Sequence, residues 1–221
     1  MRRMGRGLPV LVIFMVFLQA FAGCGGSGGR WVHTAEILSD QRSDGDILFV
    51  LGPPQQFIVT QGPNTLFFGL DEDFNEYRAF LDFPLDGSTG FDAIPLGARI
   101  ESATLTVRIV SVQFSPVVPT LLDLVTYTPR TLTNRDFDSL PLVFSDGTDA
   151  TRSFNIFGSD VNRDVVIEVT SFMREAQRRA LPELQMRFLL DFGPRADGLV
   201  GIDNRPTVAA TAPLLTVRYS L

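Results

Sequence analysis

Few side chains in this chain could carry out a reaction. It contains one histidine, His33, one cysteine, Cys24, and no lysine. A Ser-His-Asp or Cys-His arrangement would have to use His33, and a phosphate-binding P-loop requires a lysine. A zinc site built from histidine and cysteine lacks ligands. The composition therefore excludes the usual centres for nucleophilic catalysis, phosphate binding and zinc binding.

Carboxylates are the remaining reactive groups. The chain has 25 Asp and Glu residues, and two of them facing each other across a cleft could hydrolyse a glycosidic bond. The sequence singles out no such pair, because most acidic side chains are expected to be solvated at the surface. We predict that the protein is not an enzyme, with a glycoside hydrolase as the remote alternative.

One acidic segment has the spacing of a calcium loop. Asp71, Asp73 and Asn75 place hard oxygen ligands at alternate positions, as a calcium site needs. An EF-hand is excluded, because Glu76 stands where that loop needs glycine and Asp82 stands where it needs glutamate. A structural calcium ion is the candidate cofactor at these three residues, and the alternative is an ordinary acidic loop.

Aromatic and arginine side chains could recognise a polysaccharide. Arginines that point outward from one sheet could hold an anionic chain despite the net charge of −6, because arginine binds carboxylates in a bidentate manner. The alternative is a solvated sheet face on which neighbouring acids balance the arginines. Alternation along the predicted strands places Arg78, Arg108, Arg187 and Arg218 outward, and the aromatic candidates are Trp31, Tyr77, Phe80 and Tyr127. The sequence favours Tyr77, Arg78, Phe80 and Arg187 as the ligand-binding set.

The segment that precedes these elements has the three parts of an export signal. Three arginines come before the apolar run 8–22, which closes in Phe21-Ala22-Gly23-Cys24. This ending resembles the lipobox of bacterial lipoproteins. The resemblance implies cleavage before Cys24 and attachment of a lipid to its thiol, and the glycine that follows implies the outer membrane.

Composition divides the chain into three segments. Residues 1–23 are the predicted signal peptide, 24–33 the lipidated cysteine with a Gly/Ser tether, and 34–221 one folded domain. The negative net charge argues against nucleic acid as a partner, since phosphate contacts need a basic surface. The predicted partner of the first two segments is the membrane, through Cys24.

The folded domain has the alternation of half-buried strands. Apolar residues at alternate positions of 103–109 are followed by a shift of the apolar phase to Val110, which predicts a bulge near Ile109. Many short strands of this kind, separated by turn residues, predict an all-β fold, an antiparallel β-sandwich or jelly roll. One short helix is predicted, with Thr170 or Ser171 as its N-cap.

Four segments carry a family resemblance: residues 77–83, 93–105, 166–170 and 213–219. Their order is similar to that of the DNRLRE-type domain, a jelly-roll module of secreted bacterial proteins that is related to carbohydrate-binding modules. The resemblance implies a jelly-roll fold and a binding role.

The predicted function is that of a lipid-anchored cell-envelope protein whose non-catalytic β-sandwich binds polysaccharide. The alternative is a structural or adhesion lipoprotein that contacts another envelope protein through its sheet. Exposed arginines and aromatic residues on one sheet would favour the first, and an exposed apolar patch would favour the second.

Overall fold

The computed structural model describes residues 31–90, 92–193, 196–205 and 211–221. Within them the chain forms twelve strands and one α-helix, α1 (Thr170–Arg178). The strands are β1 (Val32–Leu38), β2 (Gly45–Val50), β3 (Gln56–Gln61), β4 (Thr65–Leu70), β5 (Glu76–Pro84), β6 (Arg99–Gln113), β7 (Val117–Val125), β8 (Thr151–Phe157), β9 (Arg163–Glu168), β10 (Glu183–Leu190), β11 (Leu199–Asp203) and β12 (Leu214–Ser220). The predicted signal peptide and Cys24 lie outside the described residues.

The described strands pair antiparallel into one strongly curled sheet. One half has the order β1–β12–β6–β9, and the other has the order β3–β2–β5–β10–β7–β8. Strands β11 and β4 lie side by side and connect β6 to β5. The prediction of an all-β fold with one short helix is confirmed.

Strand β6 is long enough to pair with three partners. It pairs with β12 along its first part, with β9 along its middle and with β11 at its end. Opposite β11 the register shifts by one residue, because Gly201 faces Ser111 whereas Ile202 faces Ile109. Val110 is therefore the extra residue of a bulge, as the shift of the apolar phase predicts.

The main core fills the space enclosed by the curled sheet. The alternating residues of β6 are fully buried there, and the opposite side chains of that strand face outward. Helix α1 adds Phe172, Met173 and Ala176 to the same core. The predicted cap of this helix is wrong: its N-cap is Val169, because the Thr170 hydroxyl oxygen accepts a hydrogen bond from the backbone N–H of Ala103 in β6.

Strand β1 begins at Val32, two residues before the predicted domain start at 34. It pairs with β12 along its whole length, from Val32 opposite Ser220 to Leu38 opposite Leu214. The His33 ring stacks on the Tyr219 ring with their centroids 5.4 Å apart. In the described part of the chain, no helix is long and apolar enough to cross a bilayer.

Candidate functional site

A loop covers the outer face of the sheet half on which the predicted ligand-binding residues lie. This loop, residues 126–141, follows β7 and is called the cover segment below. Its apolar side chains form a second hydrophobic cluster, separate from the main core, with residues of β2, β5 and β7. The members of that cluster are Ile47, Phe80, Val125, Tyr127, Leu132 and Phe137, with Phe49 packed against them.

Arg187 is buried beneath the cover segment. Its side chain is 4% exposed, and it donates one hydrogen bond to the Asp123 carboxylate at 2.6 Å and one to the Phe137 carbonyl oxygen at 2.7 Å. Burial lowers the pKa of the Arg187 guanidinium, while Asp123 opposes that shift. The prediction that Arg187 points into solvent is wrong, since its ion pair and its contact with the cover segment enclose it.

Arg78 also attaches the cover segment to the sheet. Its guanidinium donates hydrogen bonds to the Glu76 carboxylate at 2.6 Å and to the Phe137 carbonyl oxygen. It also lies 3.8 Å from the centroid of the Phe137 ring, a cation–π contact. The Arg78 side chain is 13% exposed, so it is mostly committed to contacts within the protein.

The two aromatic members of the predicted set lie on opposite faces of β5. Phe80 is fully buried and packs edge-on against Tyr127, with ring centroids 5.6 Å apart. The prediction that Phe80 lies on an exposed polar face is wrong, because the cover segment closes that face. Tyr77 is half-buried and packs against Phe67. The structure therefore brings Arg78, Phe80 and Arg187 together, but beneath a loop.

The predicted calcium residues form the turn between β4 and β5. The Asp71 carboxylate accepts hydrogen bonds from the backbone N–H groups of Asp73 at 3.0 Å and Asn75 at 2.9 Å. It accepts a third from the Asn75 side chain at 3.0 Å. Across the described residues, no three His, Cys, Asp or Glu side chains are grouped to hold a metal ion. The calcium site stays a prediction, and the turn itself is closed by Asp71.

A buried acidic cluster escaped the sequence analysis. Asp44 and Asp82 are 0% and 1% exposed, and one Asp44 oxygen accepts a hydrogen bond from the backbone N–H of Asp82 at 2.8 Å. The second Asp44 oxygen, one Asp82 oxygen and the Tyr127 hydroxyl have no hydrogen-bond partner among the described residues. Burial raises the pKa of Asp44 and raises the pKa of Asp82 to about 6. These carboxyls are enclosed, so they cannot face a polysaccharide chain.

One apolar surface stays open at the end of the same sheet half. In the described structure β3 pairs only with β2, so its other edge is free. Phe57, Ile58 and Val59 are 38%, 48% and 37% exposed, and one side of the Phe57 ring packs against Phe137 of the cover segment with ring centroids 5.3 Å apart. These three residues of β3 are called the apolar edge below. Their side chains lie on both faces of the strand.

No protein-family model matches this chain, and no curated protein matches it. What the chain binds must therefore be inferred from its own residues. Two surfaces of one sheet half differ: the cover segment closes its outer face, and its edge at β3 has no strand paired to it in the described structure.

The sequence held a partial signal for the covered face. Leu121 to Val125 is apolar at four of five positions, a pattern typical of a strand buried on both faces. The signal for the apolar edge was a long stretch without charge, residues 47–70. Neither pattern shows that a loop covers the face or that the edge of β3 is free, because these two features depend on segments that are distant in the sequence.

Proposed function

We propose that this protein is a lipid-anchored, non-catalytic component of the bacterial cell envelope that binds another protein through β3. The lipid anchor rests on the lipobox-like ending at Cys24. The observation that supports the binding role is the apolar edge: three consecutive large apolar residues, all exposed, on a strand with a free side.

A free strand edge offers two kinds of contact at once. Its unpaired N–H and C=O groups can bond to an added strand, and its side chains on both faces can pack against that strand and its neighbours. Natural proteins usually protect such edges with charged residues, proline or a bulge. Within β3 none of these devices is present, which supports its role as a binding surface.

The polysaccharide hypothesis has less support from the geometry. Arg187 and Phe80 are enclosed by the cover segment, and Arg78 is bonded to it. A polar hollow beside Ser39, Asp40, Arg42, Ser88 and Arg130 favours sugar binding as the second candidate function. No aromatic side chain is among its described lining residues, so a sugar there would have to bind through hydrogen bonds without stacking.

Site-specific photo-crosslinking in intact cells tests the proposal. A photoreactive residue replaces Ile58 in the full chain, and the matched control places it at Val166 on β9, which is 63% exposed. We expect a discrete protein adduct at Ile58 and none at Val166. An absence of adducts at Ile58, or equal adducts at both positions, would contradict a binding role of the apolar edge.

A parallel measurement tests the second candidate. The full chain is assayed against neutral and anionic polysaccharides, with and without calcium. Saturable binding that is lost in Arg130→Ala, but kept when Ile58 is substituted, would move the function to the polar hollow. Calcium dependence would implicate the turn at Asp71.

A further inference from the structure

The described sheet has four edge strands, and only one of them carries no charge. Strands β1, β3, β8 and β9 each pair with a single neighbour. Glu36 lies in β1, Arg152 lies in β8, and β9 carries charges at both ends. Pairing β3 with any of those edges would remove charged groups from water, which costs free energy unless each is paired. Of these four edges, the one that β3 can pair with without burying a charge is β3 of a second molecule.

The hydrogen-bond pattern shows which residues of β3 face outward along the sheet. Gly62 donates its backbone N–H to the Asp44 carbonyl oxygen at 2.9 Å, one step beyond the pair formed by Gly45 and Gln61. Because bonding alternates along an antiparallel strand, Ile58 directs its backbone groups to β2. Phe57 and Val59 direct theirs to the free side.

Symmetry restricts how two copies of β3 can pair. A twofold axis through an antiparallel strand pair passes midway between two opposite residues, so one residue must face its own copy. With Ile58 at the axis, Phe57 of each copy lies opposite Val59 of the other. About four backbone hydrogen bonds form between these Phe57 and Val59 residues. All three central positions are then apolar on both strands.

We propose that the partner of the apolar edge is a second copy of this chain, paired β3 to β3 with Ile58 opposite Ile58. This proposal rests on the proposed function and names its partner. No residue of β3 carries a charge, so pairing two copies along this strand places no like charges of the two strands against each other. The pairing continues the six-stranded half of one copy into that of the other.

Disulfide trapping tests the register. The variant carries two substitutions in the full chain. Cys24→Ser removes the native thiol, and Ile58→Cys adds one, so residue 58 then carries the single thiol. Residues in a non-hydrogen-bonded pair have Cα atoms about 4.5 Å apart, within disulfide reach. We expect a disulfide-linked dimer from this variant under mild oxidation. The matched control Gln56→Cys, also exposed on β3, places its two thiols too far apart in this register and should give no disulfide-linked dimer.

Sedimentation equilibrium tests the association itself. The full chain in mild detergent is expected to be dimeric, and Ile58→Arg to be monomeric. At a concentration where both are monomeric, the two proteins should have the same melting temperature, because the dimer alone adds stability by mass action. A monomeric parent chain, or a dimer that survives Ile58→Arg, would overturn the second copy as partner. Equal trapping at Gln56 and Ile58 would overturn the register.

The two proposals fail in different ways. If photo-crosslinking at Ile58 gives an adduct with a different protein while the parent chain sediments as a monomer, the second copy is wrong and protein binding stands. If both experiments are negative, protein binding at the apolar edge is wrong as well.

Discussion

The two faces of β5 are both buried, but they are buried in different ways. Ala79, Leu81 and Phe83 point into the main core, where their neighbours are almost all apolar. Phe80 and Asp82 point to the other face, where the cover segment encloses apolar rings together with charged groups. The inner face is closed by the sheet itself, and the outer face by a loop.

This difference determines what each face tolerates. An apolar interior responds mainly to lost volume, since side chains there have no bonding requirement. The covered face must also satisfy buried donors and acceptors, and any group left unpaired there costs free energy. The following substitutions separate these two responses.

The largest loss is expected in the main core. Phe188→Ala removes a fully buried ring that packs against Phe68 and Phe154. We expect the free energy of unfolding to fall by about 4 kcal/mol, measured by chemical denaturation. A loss below about 1 kcal/mol would show that the main core is not the principal source of stability.

A smaller loss of stability is expected beneath the cover segment, and a second substitution should reverse it. Arg187→Met leaves Asp123 buried without its ion pair and should lower the free energy of unfolding by about 3 kcal/mol. Adding Asp123→Leu should recover most of this loss, because an apolar pair needs no compensation. If the double variant is less stable than the single one, the contrast between the two faces does not hold.

The acidic cluster should respond with a gain that depends on pH. Asp44→Asn keeps the acceptor for the Asp82 N–H and removes a buried charge. We expect it to raise the free energy of unfolding by about 1–2 kcal/mol at pH 8 and by less at pH 4. An equal gain at both pH values would contradict a charge effect.

The stability of the unsubstituted protein should also depend on pH, and the raised pKa values of its buried carboxyls give the direction. Burial raises the pKa of Asp46 and of Asp82 from 3.8 to about 6. The folded state therefore holds protons that the unfolded state has already lost between those values, and stability falls as the pH rises through them. Thermal melting at pH 4 and at pH 7 measures this fall.

The smallest effect on stability is expected at the apolar edge. Ile58→Arg should change the free energy of unfolding of the monomer by less than about 0.5 kcal/mol, because the side chain is 48% exposed. A loss above about 2 kcal/mol, measured at a concentration where the chain is monomeric, would mean that β3 is closed by contacts within its own chain.

The spacing of apolar residues was sufficient to predict the strands, but it did not predict which strand faces are covered by other segments. The alternation in β6, the bulge at Val110 and helix α1 all follow from side-chain periodicity, which depends on neighbours in sequence. Arg187 and Phe80 were misplaced because alternation assigns a side chain to a face but does not say whether a loop covers that face. The cover segment itself has irregularly spaced apolar residues, so it reads as an ordinary loop.

The position of β1 has a consequence for the order in which this domain is completed. Its sole partner strand among the described residues is β12, and Val32 at its start lies opposite Ser220 near the end of the chain. Contacts this distant in sequence form late, because the whole intervening chain must first be present. During synthesis β1 therefore lacks its partner strand until β12 has emerged, and a chain shortened by β12 would leave the backbone groups of β1 unpaired.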